Sequence, residues 1–358
     1  MRVHNFGAGP CTLPLTVLEE AQAEFLDFAG TGMSVIELSH RSPAYEAVHD
    51  EALALTREVA EAPDDFEIVF VQGGATLQFA MVPLNLLGAD QKAGYVVSGS
   101  WGKRAMEDAT PHGRVYAAWD GREEGYARMP SPEEIVVEPG TRYLHVTSNE
   151  TIGGIRMVRW PHPEVPLVAD MSSDYLARPI EWDRYDLIYG GVQKNLAPAG
   201  MAVIFVRRSV LEEGGAGLGS FLRYRWHADN RSLGHTPAMF PIYLMGKVLK
   251  LMKAAGGIRA IEDQAAAKAA HIYAVIDQSE GFYRSPVAVE DRSHMNVVFR
   301  LASEDLEKEL LVEAEKADLI GLKGHRSVGG LRASLYAALP MESVEALSDF
   351  MEDFQESH

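Results

Sequence analysis

Seven short apolar runs punctuate the first two-thirds of the chain: Ile68–Gln72, Tyr95–Ser98, Val115–Trp119, Tyr143–Thr147, Leu167–Ala169, Leu187–Tyr189 and Ala202–Val206. Most are bounded by Gly, Asp, Ser or Asn and separated by segments long enough for a helix. Runs of this kind, without polar alternation, predict strands buried on both faces. Their repeated alternation with helices predicts an α/β fold, a mostly parallel sheet covered by helices. Such sheets bind ligands at the carboxyl ends of their strands, so the residues closing each run carry the interest. From Pro241 to Ser279 the pattern becomes helical, broken at Gly256–Gly257. A second unit follows, with a strand near Asn296–Leu301, a helix near Ser303–Ala317 and a last helix near Ser343–Glu356. The expected organisation is an N-terminal segment over 1–15, a large domain over 16–280 and a smaller C-terminal α/β domain over 281–358. Gly214–Gly219 lacks G-x-G-x-x-G spacing and reads as a loop.

With 358 residues the chain can bury a full core in two lobes. Its 47% hydrophobic and 23% charged content is ordinary for a globular protein. The net charge of −18, with lysines and arginines dispersed, argues against a nucleic-acid or anionic-membrane partner. It also means that a pocket for anionic substrates must be made locally positive; a high-salt habitat would explain the acidity equally well. A single cysteine, Cys11, excludes an internal disulfide and a cysteine-rich metal centre, and no metal is expected. No apolar stretch suits a signal peptide or a membrane helix, so a cytoplasmic enzyme is expected.

Three strand ends carry the chemistry. Lys194 follows the run that closes at Tyr189–Gly190–Gly191. A lysine leaving a buried strand, if desolvated, has a lowered pKa and a nucleophilic amine; alone, it fits a side chain pointing to water as well. Asp170, 24 residues upstream, directly ends another run. An acid there caps the next element or holds a cation, and a carboxylate beside a pyridine nitrogen is what pyridoxal chemistry requires. Gln72–Gly73–Gly74–Ala75–Thr76 passes from a strand into a helix, whose free N–H groups suit a phosphate. Trp101, after Gly99–Ser100, has a face on which a flat ring stacks, or is a packing residue.

Taken together, Gln193–Lys194–Asn195 with Pro198–Ala199–Gly200, Ala169–Asp170 with Ser172–Ser173, and Gly73–Gly74 with Gln78–Phe79 resemble the phosphoserine aminotransferase family. These are class-V, fold-type-I pyridoxal-phosphate enzymes. Phe6–Pro10, Glu37–Arg41, Asn149–Gly154, Lys323–Arg326 and Gly329–Ser334 extend the resemblance, in family order, across essentially the whole chain. It implies that Lys194 joins the cofactor covalently and that Asp170 pairs with its ring nitrogen. It places Trp101 on the ring and Thr151 and Gln193 in contact with it, with Ala75 and Thr76 in the phosphate cradle. Relatives often complete that cradle across a homodimer interface with an Asn-Thr pair; here His235 and Thr236 stand at those positions, so the first departs. Some relatives carry arginine where Thr76 stands.

Two His-Arg pairs, His40–Arg41 and His325–Arg326, and Arg332 supply other cations. The planar guanidinium fork suits carboxylate and phosphate. By resemblance Arg332 holds the α-carboxylate, and the pairs hold a distal phosphate or the γ-carboxylate of glutamate. The implied activity is ping-pong transfer of an amino group between glutamate and 3-phosphohydroxypyruvate in serine biosynthesis, with pyridoxine biosynthesis as a second implied pathway. Alternatives are a class-V aminotransferase for an unphosphorylated substrate, a cysteine desulfurase, for which Cys11 stands in the wrong segment, and a non-catalytic pyridoxal-phosphate-binding regulator, which would not need both Asp170 and Lys194.

Overall fold

The computed structural model describes residues 2–358. All seven apolar runs form strands of one sheet: β1 (Phe66–Gln72), β2 (Lys92–Val97), β3 (Arg114–Asp120), β4 (Thr141–Thr147), β5 (Leu167–Asp170), β6 (Leu187–Gly191) and β7 (Met201–Arg207). Their spatial order is β1-β7-β6-β5-β4-β2-β3. Every pair is parallel except those of β7, which runs antiparallel to both β1 and β6. β1 begins at Phe66 rather than Ile68, because its ladder with β7 continues through Val206↔Glu67 and Arg207↔Phe66. Glu67 is polar at that strand end because its carboxylate meets Arg208 at 2.7 Å.

The continuous apolar pattern has a direct cause in the packing. Along β7, Met201, Val203 and Phe205 face one core, while Ala202, Ile204 and Val206 face another. The first core is completed by α2 (Pro43–Val59) and the second by α3 (Gly74–Leu86) and α4 (Ser100–Ala109), the helix α1 (Leu15–Glu24) lying against the first. Both faces of the strand leave water, so neither can be polar.

Beyond the sheet come α5 (Met239–Ala254) and α6 (Gly257–Gln278), separated at Gly256, whose φ of 107° is left-handed. The early residues of α6, Ile258 and Ile261, pack in the first core. Its later residues, Ala269 to Ile276, belong to a third core with Phe6, Phe299, Leu331, Leu347 and Met351. That core is built on α7 (Glu304–Lys316), α8 (Met341–Ser357) and the antiparallel pair Asn296–Phe299 with Leu331–Ser334. The N-terminal His4–Asn5 joins it through Leu319–Ile320. Ser303 caps α7 by accepting from the Leu306 N–H at 3.2 Å, with Glu304, Asp305 and Glu307 in the first turn complementing the helix dipole. No helix among the described residues is long and apolar enough to cross a membrane.

Candidate active site

A cavity of about 490 Å³ opens at the carboxyl edge of the sheet. Its lining comes from the segments that follow β1, β2, β4, β5 and β6, from Ala199–Gly200 ahead of the antiparallel β7, from the N-terminal Ala8–Pro10, and from His325 and Arg332 near the C-terminal end. Of the residues singled out in the sequence it gathers Ala75, Thr76, Trp101, Thr151, Asp170, Gln193, Lys194, His325 and Arg332.

Lys194 lines the cavity and is buried. Its Nζ donates to Thr151 Oγ1 at 2.6 Å and lies 5.3 Å from the centroid of the Trp101 ring. Burial pushes its pKa down to about 8; the carboxylates of Asp170 and Glu150 oppose that shift, and Arg332 adds to it. The turn that carries it is fixed from both sides. Asn195 donates to Tyr175 O and accepts from the Ala337 N–H, each at 2.8 Å, and Gln193 O accepts from the Cys11 N–H at 3.0 Å. The amine is therefore partly neutral near physiological pH and confined to one place.

Asp170 is only 4% exposed. Its Oδ1 accepts from the Ser172 N–H at 2.9 Å and from Ser172 Oγ at 2.6 Å, and that hydroxyl in turn accepts from the Gly191 N–H at 3.1 Å. Burial raises its proton affinity, against Lys194 and the Ser172 bonds. A carboxylate buried this way is completed by a cation in the cavity, and a protonated pyridine nitrogen is one.

The N-terminus of α3 also borders the cavity. Gly73, at φ 99°, is required there: a Cβ would lie 2.8 Å from Leu77 Cδ2 in a left-handed backbone. No side chain caps this helix, so its first-turn N–H groups face the lining of Gly74, Ala75 and Thr76. That is a cradle for an anion such as a phosphate. Arg332, also in the lining, donates from Nη1 to Thr151 O at 3.2 Å, and its buried Nε has no protein partner among the described residues. Burial and uncapped donors together make it a site for a carboxylate. His325 lies beside it, its Nδ1 2.7 Å from Ser327 Oγ, with its pKa lowered by partial burial and by Arg332 and Arg326. Lysine, carboxylate, aromatic face and phosphate cradle thus fit pyridoxal phosphate.

The other expected residues stand outside this lining. Arg326 and Arg41 are exposed. His40 meets Thr236, its Nδ1 3.3 Å from Oγ1, in a separate group. His235 packs its ring edge-on to Phe221, centroids 4.9 Å apart, and neither ring nitrogen has a partner among the described residues. Conversely, sequence reasoning assigned no role to Ser172 or Glu150, nor to the Ala8–Pro10 backbone. Ser172 was visible as a hydroxyl two residues past a strand-ending acid, the spacing of a side-chain turn. The approach of Ala8–Pro10 had no local signal.

The chain belongs to the aminotransferase class-V family, whose model matches residues 3–347. It is 47% identical over 358 residues to the phosphoserine aminotransferase of Lysinibacillus sphaericus, covering 100% of this chain and 99% of that one. The solved phosphoserine aminotransferase of Bacillus circulans subsp. alkalophilus superposes with a TM-score of 0.97 at 48% identity, covering 99% of each chain. A pyridoxal-phosphate-bound phosphoserine aminotransferase from Trichomonas vaginalis matches with a TM-score of 0.92 at 34% identity, over 98% of this chain and 100% of that one.

Proposed function

We propose that this chain is a pyridoxal-phosphate-dependent aminotransferase that moves an amino group between glutamate and 3-phosphohydroxypyruvate, yielding O-phosphoserine and 2-oxoglutarate. The observation that carries the reading is the convergence of Lys194, Asp170, Trp101 and the α3 N-terminus on one cavity. The specific substrates come from the named relatives. The cofactor, when bound, supplies an aldehyde that joins an amine and a ring that draws electrons from the substrate α-carbon. Asp170 holds the ring nitrogen protonated, and Trp101 fixes the plane of the ring. The backbone of Ala75 and Thr76 holds the phosphate. Lys194 anchors the cofactor at rest and afterwards moves a proton at the substrate α-carbon, steered by Thr151. Gln193 borders the ring, and Arg332 clamps the α-carboxylate common to every amino-acid substrate.

His40, Arg41, His325 and Arg326 form the distal-anion side of the site in this reading, with His325 already at the cavity. His235, whose two ring nitrogens have no partner among the described residues, and Thr236, whose Oγ1 meets His40, lie outside the single-chain cavity and are then supplied to the cradle of a second copy in a homodimer. A cytoplasmic location accompanies the reading. The test is a transamination assay with glutamate as donor, comparing 3-phosphohydroxypyruvate with its unphosphorylated counterpart, in the parent and in Lys194→Ala. The parent is expected to be yellow and to prefer the phosphorylated acceptor; Lys194→Ala is expected to lose borohydride-trapped cofactor and activity together. Equal use of both acceptors would support the unphosphorylated-substrate reading. A cofactor adduct trapped at another lysine would remove Lys194.

A further inference from the structure

Glu150 has no place in the mechanism above, yet it is fully buried and sits between the parts that do the work. It belongs to the short strand Asn149–Glu150, paired with Ile155–Arg156 just past the end of β4. Its Oε1 accepts from the Gly102 N–H at 2.8 Å and its Oε2 from the Trp101 N–H at 3.1 Å. These are first-turn amides of α4, a helix whose N-cap, Gly99, has no side chain to offer. Gly99 is glycine because the carboxylate occupies that space: a Cβ would lie 2.5 Å from Glu150 Cδ. The carboxylate therefore takes over the capping of the helix that presents Trp101 to the cavity. Its neighbour Thr151 holds both Lys194 and Arg332.

No lysine or arginine is in salt-bridge contact with Glu150 among the described residues; the charged groups that face it are Asp170, which disfavours its ionisation, and Lys194, which favours it. Burial dominates and, with Asp170, pushes its carboxyl pKa up to about 7, although the two amide bonds pull the other way. A carboxylate has two good acceptor oxygens and a carboxylic acid only one. A two-amide clamp is thus complete only in the ionised form.

We propose that Glu150 is a positioning residue for the reaction: its ionised carboxylate clamps the Trp101 and Gly102 amides and thereby sets the ring plane that Trp101 presents to the cofactor, and the clamp opens when the carboxylate takes up a proton. The proposal rests on the reading of the cavity as a pyridoxal-phosphate site, whereas the clamp itself is testable without cofactor.

The experiment is amide hydrogen exchange on the cofactor-free protein, read at Trp101 and Gly102. In the parent, protection of these two amides, corrected for intrinsic base catalysis, is expected to rise as pH increases through about 7. In Glu150→Gln, one carboxylate acceptor becomes a donor, so their protection is expected to drop by about tenfold or more, the scale of one hydrogen bond to a charged group, and to lose its pH step. With cofactor bound, the circular dichroism of the cofactor absorbance band is expected to weaken in Glu150→Gln, and the acidic limb of the pH–kcat profile to flatten. Unchanged protection in the variant, or protection without a pH step in the parent, overturns the clamp. Faster exchange with an unaltered cofactor band and pH profile overturns the positioning role. If the parent binds no pyridoxal phosphate at all, the cofactor reading fails, and the positioning role fails with it even if exchange bears out the clamp.

Discussion

The titration of Lys194 in the cofactor-free protein follows from its surroundings. An unperturbed lysine titrates at 10.5 and Lys194 at about 8. At pH 8 half of it is then neutral, roughly 150-fold more free amine than an exposed lysine presents. Brief acylation over the neutral-to-alkaline range, with modification of the Lys194 peptide measured by mass spectrometry, reports this midpoint. A free amine of unperturbed pKa, acylated in parallel, is the reference. Substitutions are expected to move the midpoint in opposite directions. Asp170→Asn removes a carboxylate that favours the ammonium, so the midpoint falls further. Arg332→Ala removes a cation that disfavours it, so the midpoint rises. The linkage has a definite sign as well. The folded-state pKa lies below the unfolded value, so the buried ammonium costs stability below about 8 and this cost is relieved as pH rises toward 10.5. The group's contribution is on the order of 3 kcal/mol. A parent midpoint no lower than the ordinary lysine value of 10.5, or a shift of both variants in the same direction, would refute the electrostatic account.

Asp170→Asn is nearly isosteric and is expected to lower kcat by about 10²–10³-fold while cofactor retention changes far less; turnover within a few-fold of the parent would remove Asp170 from the chemistry. Arg332→Ala is expected to weaken every amino-acid and keto-acid substrate, whereas Arg41→Ala and Arg326→Ala are expected to raise KM mainly for phosphoserine, by up to about fivefold, the scale of an exposed charge pair. Comparison of phosphoserine with serine in each variant checks this, and equal losses for both would take the distal anion away from the His-Arg pairs.

Much of the fold was legible because burial on both faces leaves a run of apolar residues no alternative. The seven strands, the helix break at Gly256–Gly257 and the Ser303-capped helix were each marked locally. The antiparallel direction of β7 was not, since Ala202–Val206 reads the same whichever way it is inserted. The extension of β1 to Phe66 was also hidden, because Glu67 is acceptable in a strand only once Arg208 is known to face it.

The candidate site divides along the same line. Lys194, Asp170 and the Gly73–Gly74 turn are strand-end features, and strand ends of a parallel sheet converge on one edge, so sequence order alone placed them near one another. Their chemistry depends on quantities that no local pattern encodes. The lowered pKa of Lys194 comes from burial by segments distant in the chain. The Thr151 contact and the Arg332 contact bridge 43 and 181 residues. Glu150 reads as an ordinary acid in a polar stretch, and only tertiary packing turns it into a buried carboxylate on the amides of α4, 48 and 49 residues away. Which residues stand at the strand ends, and with what chemistry, is written along the chain; how far each is desolvated and which charge it faces is settled by packing, because desolvation and Coulomb interaction depend on distance through space rather than along the chain.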